Sequence, residues 1–128
     1  LDVDGDGEVS ALGDGLMIIR KLFGYAFAGN SLTSKAISTK ATRSADEIHD
    51  YIQTGIDNLS LDVDKDGKVT ALGDGLMIIR RLFGSAFAGD ALTSKAISHE
   101  SSYIQDSSPW EAISHNIDKL MPPDQPLA

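Results

Sequence analysis

The chain has 128 residues, a hydrophobic fraction of 41% and a formal net charge of −8, from 19 acidic and 11 basic side chains. A chain of this length forms one small domain or two very small ones, and its hydrophobic fraction is sufficient for a core. The acidic balance argues against a nucleic-acid-binding protein, which normally carries a basic face. Because the sequence has no cysteine, disulfides, thiolate zinc sites and a thiol nucleophile are excluded. No apolar run approaches the ~18 residues of a membrane span.

An internal repeat organises the sequence. Residues 1–38 align with residues 61–98 without a gap, at an offset of 60, and differ at seven positions. Each copy opens with three aspartates on alternate residues, followed by a glycine. Crowded carboxylates repel one another unless a hard cation lies among them, and D-x-D-x-D-G is typical of the EF-hand calcium loop. The sequence therefore predicts two Ca²⁺ sites, which begin at Asp2, Asp4, Asp6 and at Asp62, Asp64, Asp66.

The other predicted ligands follow from counting loop positions from the first aspartate. Position seven contributes a backbone carbonyl, so Glu8 in one copy can be replaced by Lys68 in the other. Position nine binds directly or through water. Position eight, a valine, suits a short strand pairing between the two loops, at Val9 and Val69. The predicted metal ligands are Asp2, Asp4, Asp6, Glu8, Ser10, Asp14, Asp62, Asp64, Asp66, Lys68, Thr70 and Asp74.

The last ligand departs from the EF-hand rule, which expects a bidentate glutamate at position twelve. Position twelve is Gly13 or Gly73, and the next acid, Asp14 or Asp74, stands at position thirteen. If this aspartate closes the site, the loop must bulge by one residue or the helix must begin differently. The alternative is that it only caps the following helix. The two roles are compatible.

The remaining pattern is helical throughout. Apolar helices are predicted over Asp14–Phe23 and Asp74–Phe83, each stopped by a glycine and nearly buried, with its basic pair reaching water. The repeated LTSKAIS predicts a further short helix. Second helices follow over residues 44–59 and 108–120, and both begin with a capping-box sequence. The last of them is expected to fold back beside the first loop.

The predicted fold is therefore all-α, with tandem EF-hand-like loop-helix repeats, additional capped helices and a pseudo-twofold arrangement. We expect a single domain over residues 1–121, made of repeats 1–60 and 61–121, followed by a flexible tail over 122–128. Since the chain opens directly on a loop, without a signal peptide, we also expect a parent chain upstream of Leu1.

The stretch LDVDGDGEVSALGDGLMIIRKLFG and its second copy resemble the dockerin-type Ca²⁺-binding repeat, a loop-helix half of an EF-hand that is used in pairs. The resemblance implies calcium-dependent folding in a module of larger bacterial secreted or surface proteins, and docking onto a cohesin-like or other extracellular module. Family members close the loop at position twelve, so the acid at thirteen marks a divergent branch. The partner contacts that the resemblance implies are Ala11, Leu12, Arg20, Lys21, Ala71, Leu72, Arg80 and Arg81.

These patterns favour a noncatalytic calcium-binding module. No nucleophile–base pair, phosphate-binding glycine loop or paired general acid and base is recognisable, so an enzyme is not expected. The alternative is an EF-hand calcium sensor that exposes a target-binding surface when calcium binds. A third reading is an enzyme's own domain that has been separated from its catalytic part.

Overall fold

The computed structural model describes residues 1–122, and over that range the protein is all-α, as predicted. No β-strand is assigned in these residues, so the two loop valines, Val9 and Val69, lie outside any assigned strand. The predicted tail lies, after Pro122, outside the described residues. The α-helices are α1 (Leu16–Phe23), α2 (Ala45–Asp57), α3 (Leu76–Phe83) and α4 (Pro109–Asp118). Short 3₁₀ helices lie at Tyr25–Phe27, Gly29–Ser31, Gly84–Phe87 and Gly89–Leu92.

Helices α1 and α3 cross where each begins, and they form the centre of a pseudo-twofold arrangement. A β-carbon added to Gly15 would lie 3.1 Å from Ile79, and one added to Gly75 would lie 3.0 Å from Leu22. The absence of a side chain at both glycines therefore allows the two repeats to approach closely. Each helix contacts the turn that opens the helix of the other repeat.

A single cluster of buried side chains draws equally on both repeats. Helix α2 contributes Ile48 and Ile52 to this cluster, and α4 contributes Ile113 and Ile117. The predicted burial of α1 and α3 is right for the methionine and the isoleucine after it, but wrong at the helix ends, where Phe23 and Phe83 are 49% and 47% exposed. The apolar side chains with at most 1% exposure in the described residues are Val3, Met17, Ile18, Leu32, Ile48, Ile52 and their counterparts Val63, Met77, Ile78, Leu92, Ile113 and Ile117.

Two local predictions are corrected. The repeated LTSKAIS segment forms turns and not a helix, because Lys35 and Lys95 adopt left-handed backbone angles, with φ of 61° and 60°. At the start of α2 the capping box forms in both directions, as predicted, between Ser44 and Glu47. At the start of α4, the Ser108 side chain makes no capping hydrogen bond, and proline alone marks the first turn.

Helix α4 packs mainly on its own repeat and reaches the first loop only at its end. The Asn116 amide donates to the Val63 carbonyl at 3.0 Å, inside the second loop. The Leu1 ammonium group donates to the Leu120 carbonyl at 2.6 Å. The predicted fold-back is therefore made by the residues that follow α4, which contact the start of the first repeat. In the same way, the residues that follow α2 connect to the start of the second repeat.

Candidate metal centres

Two clusters of four carboxylates lie at the predicted loops, one in each repeat. In each cluster one oxygen from every carboxylate lies within 4.8 Å of the others. We call residues 2–14 loop 1 and residues 62–74 loop 2. Of the predicted ligands, the structure brings together Asp2, Asp4, Asp6 and Asp14 in loop 1, and Asp62, Asp64, Asp66 and Asp74 in loop 2.

The first part of loop 1 is held by hydrogen bonds from its own backbone to its aspartates. Asp2 accepts from the amides of Gly5 and Asp6 through Oδ1, at 3.1 and 3.2 Å, and from Gly7 through Oδ2, at 2.9 Å. Both glycines have positive φ, 70° and 90°, which lets the chain wrap tightly. The carboxylates at alternate positions are therefore directed toward one another on the inside of the turn.

A π-helical turn, Ala11–Gly15, opens α1 and accounts for the displaced acid. The Gly15 amide donates to the Ser10 carbonyl at 3.0 Å, a hydrogen bond that spans five residues instead of four. One additional residue is thus absorbed at the start of the helix, so Asp14 returns to the loop from position thirteen. The second repeat has the same turn over Ala71–Gly75. The spacing predicted either a one-residue bulge in the loop or a different start of the helix, and the structure shows a different start.

Asp14 ties the two ends of loop 1 together and is 2% exposed. Its Oδ1 accepts from the Val3 amide at 2.9 Å, and its Oδ2 accepts from the Ser10 amide at 3.0 Å. Asp74 does the same in loop 2. The helix-capping role falls instead to the Ser10 hydroxyl, which accepts from the Gly13 amide at 3.1 Å. The aspartate at position thirteen is therefore a loop residue in this geometry.

The other predicted ligands lie at the edges of the clusters. The side chains of Glu8 and Lys68 are exposed, as expected for positions that would offer only a carbonyl. The Thr70 hydroxyl caps its π-turn by accepting from the Gly73 amide at 3.1 Å, as Ser10 does in the first repeat. The structure thus separates four central carboxylates in each loop from two peripheral positions.

The clusters carry carboxylates that are unfavourable without a cation. Burial raises the pKa of Asp14 and of Asp74 to about 6, and burial raises that of Asp64 to about 7, with neighbouring aspartates adding repulsion. The Asp64 Oδ1 atom is buried and has no hydrogen-bond partner within residues 1–122. A buried ionised carboxylate that is only partly hydrogen-bonded is unfavourable. An all-oxygen, strongly anionic donor set of this kind suits Ca²⁺.

The residues predicted to contact a partner fall into two groups. Leu12 and Leu72 are 65% and 64% exposed, whereas Ala11 is buried. The arginines are engaged within the chain: Arg20 donates to the Leu32 and Ser34 carbonyls, Arg80 makes the equivalent pair of bonds, and Arg81 pairs with Asp118 at 2.9 Å. Lys21 and Ala71 are partly buried. The two leucines are thus the most accessible members of the predicted set.

Sequence reasoning missed the residues that hold the loops from outside. The Ser38 amide donates to Asp4 Oδ2 at 3.0 Å, and Arg43 donates to the carbonyls of Asp2 and Val3. These three hydrogen bonds join residues that lie between 34 and 41 positions apart in the chain. The only sequence signal was that LTSKAIS is repeated unchanged.

Fold and site together define an EF-hand-like calcium-binding module with two sites. The model of the dockerin type I domain family matches residues 1–83, more than half of the chain, which include both loops and helices α1 to α3. The chain therefore belongs to the dockerin type I family, whose members are noncatalytic calcium-binding docking modules. Ca²⁺ is its cofactor, and the two carboxylate clusters match two ions. Comparison with curated proteins and with solved structures finds no match. No helix of residues 1–122 is long and apolar enough to cross a membrane.

Proposed function

We propose that this chain is a calcium-stabilised docking module of a larger secreted or surface protein of a bacterium. Modules of its family occur in extracellular or cell-surface bacterial proteins and bind cohesins. The observation that supports the proposal best is the pair of partly buried four-carboxylate clusters, one of which leaves the Asp64 Oδ1 atom without a partner in residues 1–122. Calcium supplies the positive charge that such clusters lack.

In each loop we assign the ion to the four clustered aspartates, the carbonyl at position seven and the oxygen at position nine. When the ion is absent, the four carboxylates repel one another and the loop is strained. When it binds, the loop becomes rigid and presents Val3 or Val63 to the core, where both are 1% exposed. Because the same loops pack against the helices, calcium binding and folding are coupled. The assigned ligands are Asp2, Asp4, Asp6, Glu8, Ser10, Asp14, Asp62, Asp64, Asp66, Lys68, Thr70 and Asp74.

Residues 1–121 act as one folding unit in this proposal. The shared core and the crossing at Gly15 and Gly75 mean that neither repeat buries its apolar side chains alone. Loss of calcium from one loop should therefore weaken the whole module and not only the repeat that contains it.

The docking surface that we propose for a cohesin-like partner is centred on Leu12 and Leu72. Both project from the π-turn at the end of a calcium loop, so the ion would fix their position. Their similar exposure, 65% and 64%, supports a surface that is nearly the same in both repeats. Lys21 and Arg81, at equivalent positions of α1 and α3, would lie at its edge.

Calorimetric titration with Ca²⁺, combined with circular dichroism, tests the calcium assignment. We expect two bound ions and a large gain of helical signal and melting temperature on going from chelator to millimolar Ca²⁺, with a much weaker response to Mg²⁺. Equal helicity and melting temperature in chelator and in calcium would overturn the proposal. A calcium sensor would instead bind a hydrophobic dye more strongly with calcium than without it.

Capture of a cohesin-like module, with and without chelator, tests the docking surface. The double variant Leu12→Asp, Leu72→Asp should abolish capture while it retains both calcium ions. Tyr25→Ser is the matched control, because Tyr25 is 99% exposed and the second repeat already has serine there. If the leucine variant is captured as well as the wild type, the proposed surface is wrong.

A further inference from the structure

Each calcium loop is held by a segment that lies 34 residues further along the chain. The Ser38 amide donates to Asp4 Oδ2 at 3.0 Å, and the Ser98 amide donates to Asp64 Oδ2 at 2.9 Å. Both serines close the repeated LTSKAIS segment. We propose that Ser38 and Ser98 are positioning residues of the calcium sites, each of which sets the orientation of the middle aspartate, Asp4 or Asp64, of its own loop. This inference rests on the ligand assignment of the proposed function.

The serine hydroxyl supports this contact through a hydrogen bond of its own. It accepts from the backbone amide two residues later, Lys40 in the first repeat and Glu100 in the second, at 3.0 Å in both. This bond holds the turn in which the serine amide faces the loop.

The residues that follow each serine also bind the backbone of the middle aspartate, Asp4 or Asp64. In the first repeat, the amides of Thr42 and Arg43 donate to the Asp4 carbonyl at 2.9 and 3.2 Å. In the second repeat, the Ser101 hydroxyl donates to the Asp64 carbonyl at 2.5 Å. The sequences after residues 38 and 98 differ, yet they reach the same carbonyl. The aspartate is thus held at its backbone and at one carboxylate oxygen.

This arrangement leaves the second carboxylate oxygen for the ion. Asp64 shows the result most clearly, because its Oδ2 is bound by Ser98 while its Oδ1 is buried and without a partner. Partners of this kind, which bind a ligand and not the metal, orient the ligand, and their loss commonly weakens metal affinity by about 10- to 100-fold. The segments that end at Ser38 and Ser98 begin at Leu32 and Leu92, which are packed in the core. Each calcium site is therefore linked to the core through its segment.

The test compares Ser38→Ala, Ser38→Thr and Ser98→Ala by nuclear magnetic resonance during a Ca²⁺ titration. The amides of Gly7 and Gly67 serve as separate reporters, since each donates to the first aspartate of its own loop at 2.9 Å. Ser38→Ala keeps the amide that binds Asp4 but removes the hydroxyl that holds the turn, so the amide should lose its orientation. Ca²⁺ binding in loop 1 should therefore weaken by about tenfold, while loop 2 stays unchanged. Ser98→Ala should do the reverse, and Ser38→Thr, which keeps the hydroxyl, should restore binding.

The outcomes separate this inference from the proposed function. If the wild type binds no calcium, the proposed function itself fails. If the wild type binds two ions and the alanine variants bind them equally well, only the positioning role is overturned. Equal weakening of both loops by a single variant would also overturn it, because that result indicates general destabilisation. Should Ser38→Ala fail to fold, Ser98→Ala provides the same test in the other loop.

Discussion

Loops 1 and 2 place four carboxylates in the same arrangement, but they place them in different electric fields. Loop 1 has five acidic side chains and no basic one, so its formal charge is −5, from four aspartates and Glu8. Loop 2 has four aspartates and two lysines, Lys65 and Lys68, which give −4 + 2 = −2. Because charges near a cation act through space, we expect loop 1 to attract Ca²⁺ more strongly at low salt.

The middle aspartates, Asp4 and Asp64, also differ, and this difference concerns the cost of the metal-free state. Asp4 Oδ1 accepts from the Asp6 amide at 3.3 Å, whereas Asp64 Oδ1 has no partner in the described part of the chain. Burial raises the pKa of both aspartates, that of Asp64 to about 7. Ionisation without a metal therefore costs more free energy in loop 2 than in loop 1. The comparison teaches that identical ligands do not imply identical affinities, since the surroundings set both the attraction and the cost.

The largest expected effect tests what the loops share. Asp14→Asn and Asp74→Asn each remove the charge that closes one loop, and each should weaken Ca²⁺ binding in that loop by about 100-fold, or about 2.7 kcal/mol. Calorimetry measures the change. Asp50→Asn, which removes an exposed charge on α2, is the control and should leave both affinities unchanged. Undiminished binding in both variants would show that the aspartate at position thirteen only ties the loop together and is not a metal ligand.

The second prediction uses pH to separate the loops. A raised pKa means that the metal-free fold gains stability from protonated Asp64 below about pH 4 and loses it as the pH rises through about 7. Calcium needs the ionised form, so its affinity changes in the opposite direction. Between pH 8 and pH 6, loop 2 should lose about tenfold in Ca²⁺ affinity from this group alone. Titration followed at Gly67 measures this loss, and a constant affinity at that reporter would refute the assignment.

Exchange of the charged residue at loop position seven, Glu8 or Lys68, tests how the net charge of each loop affects its attraction for Ca²⁺. Lys68→Glu should tighten loop 2 and Glu8→Lys should weaken loop 1, each by about fivefold at low salt, and both effects should shrink as salt is added. The side chains are exposed and only their carbonyls are assigned to the ion, so the ligand set stays the same. Measurement at two salt concentrations provides the control. Effects that do not depend on salt would mean that these residues act through loop conformation.

The smallest effect concerns the backbone at position four. Lys65 has a φ of 56°, where the first repeat has Gly5 with a φ of 70°. Lys65→Gly should relieve this strain and stabilise the fold by about 0.5 kcal/mol, after the greater freedom of glycine in the unfolded chain is subtracted. Lys35→Gly is the matched control, since its φ is 61° outside the loops. Thermal unfolding in calcium measures both, and a loss of stability in Lys65→Gly alone would show that the lysine side chain has a role of its own.

Much of the fold could be predicted because its signals are local. Alternate aspartates followed by glycine describe a turn of six residues, and the apolar spacing that follows describes a helix, so the all-α class and both loops were confirmed. The burial of Met17 and Ile18 followed from the same spacing. The helix predicted over LTSKAIS was wrong, since composition does not reveal the left-handed angle at Lys35.

Local spacing was enough to locate the two loops, to list their candidate acids and to show that the two halves are alike. The folded chain was needed to see how Asp14 reaches its loop, through a π-turn, and which residues outside the loop hold Asp4 and Asp64. The physical reason is the range of the contacts. Ligand spacing is a property of neighbouring residues, whereas the orientation of a buried carboxylate depends on groups that only folding brings to it.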